Sequence, residues 1–120
     1  MLLKTSSRMY GLALILDCHG RIVFGDETAH LRQQVMELLG QAPNVVLNLS
    51  NVSFIDSSGV GELIRLLTTA ARAQKTIVLA GLTGRVRDVL QITKLATVFE
   101  TYATAVEAAE ALSGEEGAGN

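Results

Sequence analysis

A chain of 120 residues is long enough for one domain with a hydrophobic core and leaves little room for a second. Its net charge of -2 argues against a protein that binds nucleic acid by neutralising phosphates. The one cysteine, Cys18, allows no internal disulfide, and no apolar run reaches the roughly 18 to 20 residues of a membrane span. We therefore expect a cytoplasmic protein that neither binds nucleic acid nor inserts into a membrane.

The first quarter of the chain has short apolar runs between turn residues, a pattern typical of β-strands. The first run is weakly patterned and is predicted to be an edge strand. Tyr10-Gly11 and the polar segment Asp17-Cys18-His19-Gly20 are the predicted turns. The three predicted strands are residues 2–9, 12–16 and 21–24.

A helix is predicted directly after these strands. Asp26 or Thr28 can cap its first turn, because short polar side chains accept hydrogen bonds from the free N–H groups there. Gly40 follows its last apolar residue and is typical of a helix end. The buried face of this helix is predicted to consist of Leu31, Val35, Leu38 and Leu39.

The most informative stretch of the sequence is residues 45–67. An apolar run from Val45 to Leu49, interrupted only by Asn48, predicts a buried strand, which a short polar connection follows. Asp56-Ser57-Ser58-Gly59 then opens a helix, since Asp and Ser are typical of helix N-termini. The apolar stripe of this helix is predicted to be Val60, Leu63, Ile64 and Leu67. Its solvent side is predicted to carry Glu62, Arg65 and Thr69.

The second half of the chain continues as strand, helix, strand and helix. Residues 76–79 predict a buried strand, and Thr83 is the predicted cap of a short helix that ends near Thr93. Residues 98–102 form either a last short strand or extended chain.

Thr104 and Glu107 have the spacing of a capping box, which predicts a last helix from Ala105 to Leu112. Residues 113–120 have little to bury and are predicted to form a disordered tail, so that the domain covers residues 1–112. The order of elements predicts an α/β domain with one mixed sheet of about four to five strands and about four helices, mainly on one face. Its later strands are expected to be parallel and joined by right-handed crossovers.

Ser57 and Ser58 lie where the central strand passes into its helix. A phosphoryl group on either would meet free N–H groups and the positive end of the helix dipole, and would add about -1.5 to -2 charges. With Asp56 and Glu62 close by, the modified surface would repel a partner that packs on the bare hydroxyls. In the alternative interpretation Asp56, Ser57 and Ser58 only cap the helix, and composition and spacing alone favour this alternative.

Two glycines, Gly59 and Gly61, fall in the first turn of the same helix. Each costs about 1 kcal/mol of helix stability relative to alanine, so each needs a reason. Close packing of the helix on the sheet is one explanation. The approach of another molecule to the backbone is the other, and the residues leave both open.

Arg85 and Arg87 form a small basic patch in the predicted helix after Thr83. A patch of this kind can meet an acidic surface of a partner. A solvated helix face explains the same residues without any partner, and the pattern favours that interpretation.

Spacing argues against three classes of chemical site. Serine hydrolysis has no G-x-S-x-G elbow here, and His19 and His30 have no sequence reason to meet Ser57. A dinucleotide site would need a glycine where Ile64 stands. Cys18 next to His19, with His30 far along the chain, is a weak metal set. We therefore predict no enzymatic activity, no cofactor and no metal.

The segment VVLNLSNVSFIDSSGVGELIRL resembles the signature of STAS domains, and in particular of bacterial anti-sigma factor antagonists. The likeness runs through the apolar strand, the S-x-V-x-F-I-D-S-S-G-V-G junction and the following helix. GLTGRVRDVLQITKLATVFETYATAVEAAEAL is similar to the C-terminal half of the family, and LALILDCHGRIVFGDETAHLRQQV stands in place of its first strands and helix. The departure is Cys18-His19-Gly20-Arg21, where many members carry Gly-x-Leu or Gly-x-Ile.

In that family a serine kinase, which is also the anti-sigma factor, phosphorylates the hydroxyl residue directly after the Asp. The resemblance implies phosphorylation of Ser57, with Ser58 as the second choice. It implies that the unmodified protein binds the kinase and frees the sigma factor, that the phosphorylated protein lets go, and that a serine phosphatase resets it. The partner-binding residues that follow from it are Asp56, Ser57, Ser58, Gly59, Gly61 and Glu62.

Two further expectations concern partners. The chain is a candidate homodimer. As an alternative to the sigma-factor role, a STAS protein of the same fold serves as a scaffold or as a subunit of a transport complex, acting through protein-protein contacts without a sigma factor.

Overall fold

The computed structural model describes residues 1–92 and 99–118, with side chains described as far as Ser113 in the last helix. The described residues form one five-stranded sheet and four helices. In chain order, the elements are β1 (Leu3–Tyr10), β2 (Ala13–Ile22), α1 (Asp26–Leu39), β3 (Asn44–Ile55), α2 (Ser57–Arg72), β4 (Thr76–Ala80), α3 (Gly84–Ile92), β5 (Thr101–Tyr102) and α4 (Ala105–Ala118). The strands lie side by side in this same order, with β1 antiparallel to β2 and all other neighbours parallel.

The helices cover the two faces of the sheet unequally. Helices α1, α2 and α3 pack on one face and form the larger core with alternate strand residues such as Leu16 and Leu47. Helix α4 packs on the other face, where Ala108 and Ala109 join Ile15 in a smaller core. The predicted mixed sheet with most helices on one face is therefore confirmed, and the later strands are parallel as expected.

The second strand is longer than the sequence predicts. The predicted turn at residues 17–20 and the predicted separate strand at residues 21–24 are wrong, because β2 runs through the turn and ends at residue 22. Half-buried Asp17 and exposed His19 alternate with buried Cys18, which is the alternation of a strand with one polar side. Two shifts of register against β3 accommodate the irregular spacing.

The central strand β3 is also longer than predicted. The sequence predicts that it ends at Leu49 and that a polar connection follows, but the strand continues to Ile55. Val52 and Ile55 are buried in the larger core, whereas Ser53 between them is exposed. The predicted polar connection is therefore wrong, because its polar residues lie on the solvent side of a continuing strand. As a result, the strand ends directly before Asp56.

The predicted cap of α1 at Asp26 or Thr28 is wrong, because the helix begins at Asp26 and no side chain caps it. Gly25 is its N-cap with a φ of 114°, a left-handed conformation that favours glycine. Asp26 and Thr28 lie inside the first turn, and the Thr28 hydroxyl donates to the Gly25 carbonyl at 3.0 Å. The end of the helix before Gly40 is as predicted.

Helix α4 begins as the capping box predicts, with the Glu107 N–H donating to the Thr104 hydroxyl at 3.1 Å. The backbone is helical to Ala118, past the predicted end at Leu112, whereas residues 119–120 lie outside the described part. The domain boundary at 112 therefore stays a prediction. The predicted ends near Thr93 and Val98 also fall outside the described residues. No described helix is both long and apolar enough to cross a membrane.

Candidate functional site

The candidate site lies at one edge of the sheet, where three helices begin. Strands β2, β3 and β4 are parallel, and each is followed by a helix, so α1, α2 and α3 all start beside the carboxyl ends of these strands. Side chains that are distant in sequence meet at such an edge, which is where open α/β sheets usually bind ligands. Helix α2, which follows the central strand β3, starts at Ser57.

Asp56 is the N-cap of α2 and also connects two loops. One carboxylate oxygen, Oδ1, accepts a hydrogen bond from the Gly59 N–H at 2.8 Å, which confirms the predicted capping role. The other oxygen, Oδ2, accepts from the Phe24 N–H at 3.0 Å. The Asp56 N–H donates to the Ile22 carbonyl at 3.2 Å. Asp56 thus fixes the start of α2 to the end of β2 and to the loop before α1.

Ser57 and Ser58 do not share the capping role that the sequence allows them. Ser57 is exposed and Ser58 is half-buried, and neither hydroxyl makes a hydrogen bond to a described residue. The first-turn N–H groups of a helix have no partner within the helix. Among them, the N–H of Gly59 already donates a hydrogen bond to Asp56. A free hydroxyl therefore stands at the positive end of α2.

The two glycines of the first turn have different explanations. A Cβ on Gly59 would lie 2.3 Å from the Ile22 carbonyl oxygen and 2.7 Å from the side chain of Ile55, so only glycine allows α2 to pack on the strand ends. A Cβ on Gly61 would meet only the Arg65 guanidinium, at 3.7 Å. Packing accounts for Gly59 and leaves Gly61 unexplained within the described chain.

The predicted solvent-side position of Glu62 is wrong. Its carboxylate is 2% exposed, because Arg32 of α1 covers it with hydrogen bonds from Nη2 at 2.7 Å and from Nε at 3.2 Å. The hydrogen bonding to Glu62 raises the pKa of the Arg32 guanidinium above its ordinary value. Arg32 is itself exposed, as are Arg65 and Thr69. The group that a partner meets at this position is therefore a cation, not a carboxylate.

Two surface features at this edge escape the sequence analysis. Phe24 is 78% exposed, and its backbone is held by Asp56. The ring of Phe54 lies under the guanidinium groups of Arg21 and Arg85, which are 5.0 and 5.1 Å from its centroid. The sequence indicates these contacts only through the basic patch at Arg85, because Arg21 and Phe54 lie on other elements.

Residues considered for chemistry elsewhere are not brought to Ser57. His30 contacts the Thr5 hydroxyl at 2.8 Å, and His19 contacts Asn51 at 3.3 Å. Burial raises the pKa of the Cys18 thiol to about 12, so this cysteine is a poor nucleophile. Among the described residues, no group of three or more His, Cys, Asp or Glu side chains is placed to hold a metal ion.

Comparison with known proteins identifies the family. The model of the STAS domain family matches residues 4–108. The chain belongs to the STAS domain family. The D-S-S-G junction of this STAS domain follows the central strand directly and forms the N-cap and first turn of α2.

Solved structures share the fold of this STAS domain. The anti-sigma factor antagonist SpoIIAA in its unphosphorylated form has a TM-score of 0.75 and 21% identity, covering 92% of this chain and 97% of that chain. An anti-sigma factor antagonist from Mycobacterium paratuberculosis has a TM-score of 0.78 and 22% identity, covering 91% and 92%. A sulfate transporter family protein from Wolinella succinogenes has a TM-score of 0.68 and 14% identity, covering 86% and 85%.

Proposed function

We propose that this STAS domain is an anti-sigma factor antagonist that changes partners when Ser57 is phosphorylated. The observation that carries the proposal is the Ser57 hydroxyl, which is exposed, free of hydrogen bonds to described residues and placed at the N-terminus of α2. A kinase can reach such a hydroxyl without unfolding the chain. Ser58, half-buried one residue further on, is the second choice.

The electrostatics of the site suit a reversible charge. The N-terminus of α2 carries the positive end of a helix dipole, and its first turn contains no acidic residue. A phosphate on Ser57 adds about -1.5 to -2 charges at this point. Because Ser57 lies outside both cores, the added charge changes the surface and leaves the packing of the sheet unchanged.

The partner-binding surface consists of the α2 entrance and its neighbours. Asp56 and Gly59 position the entrance, while Ser57, Ser58 and Gly61 contact the partner. The missing side chain at Gly61 allows a partner to approach the backbone of α2. Glu62 contributes through Arg32, which it holds at the surface beside α2.

In the proposed cycle, the unmodified protein binds an anti-sigma factor with serine kinase activity and thereby frees a sigma factor. Phosphorylation of Ser57 by this kinase releases the complex, and a serine phosphatase restores the hydroxyl. The chain acts in the cytoplasm by binding and catalyses no reaction itself.

The test is phosphorylation by the cognate serine kinase and ATP, followed by intact-mass measurement and peptide mapping. Wild type and Ser58→Ala should each gain one phosphate, located on Ser57, and Ser57→Ala should gain none. Phosphate on another residue, or full modification of Ser57→Ala, would refute the assignment. Light scattering of the purified protein establishes in the same preparation whether the chain is a homodimer.

A STAS subunit of a scaffold or transport complex is the second candidate. The likeness to a sulfate transporter family protein favours it, because that protein is matched over 85% of its chain. Size-exclusion chromatography of native cell extract separates the two functions. An antagonist should elute with a kinase in a small complex, whereas a scaffold or transport subunit should elute in a large assembly that added ATP does not dissociate.

A further inference from the structure

Arg21, Phe54 and Arg85 form a cluster, called here the arginine–phenylalanine cluster, at the strand edge where α2 begins. Arg21 belongs to β2, Phe54 to β3 and Arg85 to the first turn of α3. The central guanidinium carbons of Arg21 and Arg85 lie 5.0 and 5.1 Å from the centroid of the Phe54 ring. These distances are within the range of a cation–π interaction.

The cations of this cluster lack the salt-bridge partner that Arg8 and Arg32 have. Arg8 forms a salt bridge with Asp17 at 2.8 Å and Arg32 one with Glu62 at 2.7 Å. Arg21 and Arg85 are exposed, and within the described part of the chain neither forms a salt bridge.

Two acidic side chains near the cluster in sequence, Glu27 and Asp56, are already engaged, whereas Asp26 and Asp88 are exposed and form no salt bridge with a described residue. Glu27 accepts a hydrogen bond from the Leu2 N–H at 2.6 Å. This bond lowers the pKa of Glu27 more than the charge of Arg21 does. Both oxygens of Asp56 accept backbone hydrogen bonds. The first turn of α3 has no acidic residue, so the positive end of that helix adds to the charge of Arg85. The cluster therefore presents two arginines that form no salt bridge with a described residue, in a chain whose net charge is -2.

The geometry prepares the two guanidinium groups for a carboxylate. A guanidinium stacked on a ring keeps its N–H donors in its own plane, where they can form paired hydrogen bonds with an acidic group. The ring also restricts the arginine side chains before binding, which reduces the entropy lost when a partner docks.

The cluster is close enough to Ser57 to act on the same partner. Phe54 precedes Ser57 by three residues, so their Cα atoms are at most about 11 Å apart. Arg21 is the register partner of Phe54 across β2 and β3. This upper bound on the Cα separation is close to the Debye length of roughly 8 to 10 Å at physiological salt, so we expect screening to leave part of a charge on Ser57 effective at the cluster.

We propose that the arginine–phenylalanine cluster binds an acidic segment of the protein that docks on the Ser57 surface, an inference that rests on the proposed function. Carboxylates of that segment pair with Arg21 and Arg85 while Ser57 is unmodified. A phosphate on Ser57 repels the same carboxylates and attracts the same arginines. Release then follows from competition between two anions for one basic surface.

The direct test uses the cognate kinase as the partner and measures its Kd by calorimetry at low and at physiological salt. Arg21→Glu with Arg85→Glu should weaken binding about tenfold or more at low salt, with a smaller difference at higher salt. Arg72→Glu, an exposed arginine at the far end of α2, is the matched control and should change the Kd less than twofold. Arg21→Gln with Arg85→Gln, and circular dichroism of every variant, guard against an effect of misfolding.

A second measurement uses a short Glu-rich peptide as the probe and follows the arginine Nε–H signals by NMR. The peptide should shift the signals of Arg21 and Arg85, a Lys-rich peptide should not, and Phe54→Leu should reduce the response. An unchanged Kd for the double variant, or larger shifts with duplex DNA or anionic lipid vesicles than with the peptide, would overturn the proposal. Failure of the proposed function would be seen separately, as a kinase that leaves Ser57 unmodified while the peptide still binds.

Discussion

The entrances of α1 and α2 lie at the same edge of the sheet and differ in the kind of negative charge that they carry. The first turn of α1 has two carboxylates, Asp26 and Glu27, whereas that of α2 has two serines behind the capping Asp56. Carboxylates stabilise a helix N-terminus permanently. A serine carries charge there only after modification. One topology therefore provides both a constitutive and a switchable anion position, and the residue type decides which.

Of the substitutions at the two helix entrances, Gly59→Ala should destabilise the protein most, because it removes the fit between α2 and the strand ends. The added Cβ would lie 2.3 Å from a backbone oxygen, which requires α2 to move. We expect a loss of about 2 to 4 kcal/mol in the free energy of unfolding, measured by urea denaturation.

Gly61→Ala is the matched control in the same helical turn. The added Cβ would make only an ordinary contact with the Arg65 guanidinium, at 3.7 Å, so the substitution should change stability by less than about 1 kcal/mol, in the stabilising direction. Equal destabilisation by the two variants would show that the packing explanation of Gly59 is incorrect.

Asp56→Ala should cost about 1 to 2 kcal/mol of unfolding free energy, since it removes the cap of α2 and the acceptor of the Phe24 N–H. Asp26→Ala at the α1 entrance is the comparison, because Asp26 is exposed and Gly25 is the cap there. Its expected cost is about 0.5 kcal/mol. Thermal unfolding of both variants measures the difference, and equal costs would contradict the unequal roles of the two carboxylates.

Glu27→Gln should change how stability depends on pH. The hydrogen bond from the Leu2 N–H lowers the pKa of Glu27 in the folded protein. Its contribution is therefore complete above the unfolded pKa of about 4.3 and is lost as pH falls through the lower folded pKa. The variant should have a lower Tm at neutral pH and a weaker dependence of Tm on pH in acid.

Glu37→Gln, an exposed carboxylate on the same helix, is the control for that measurement. It should leave the Tm profile of the wild type unchanged. If Glu27→Gln has the same dependence of Tm on pH as the wild type, the stability of the α1 entrance does not depend on this carboxylate.

Ser57→Asp should have the smallest effect on stability, within about 0.5 kcal/mol, because Ser57 is exposed and makes no hydrogen bond to the described residues. Its effect on binding should be large, with kinase affinity reduced at least tenfold by calorimetry. Thr68→Asp, also exposed on α2, adds the same charge far from the entrance and should leave affinity unchanged. A large loss of stability in Ser57→Asp would indicate that Ser57 helps to cap α2.

The parts of the fold predicted correctly depend on short-range patterns. The entrance of α2 follows from Asp56 and its spacing to Gly59, and the end of α1 follows from Gly40. The errors in β2 and β3 have a common cause. Asp17 and Ser53 alternate with buried neighbours, and a polar residue on the solvent side of a strand looks like a turn when no partner strand is known.

The parts of the site missed by the sequence depend on contacts between distant elements. Glu62 is buried by Arg32, which lies 30 residues earlier on another helix. The ring of Phe54 meets one arginine from β2 and another from α3. No periodicity within one element contains this information, since it arises only when the strands are placed side by side.

The double use of the Asp56 carboxylate has a consequence for the enzyme that would modify its neighbour. Transfer of a phosphoryl group to a serine needs an acceptor for the departing hydroxyl proton. The carboxylate of Asp56, the residue before Ser57, accepts a main-chain donor on each of its oxygens. These bonds hold the carboxylate towards Phe24 and Gly59, so we expect a kinase that acts on Ser57 to bring its own general base.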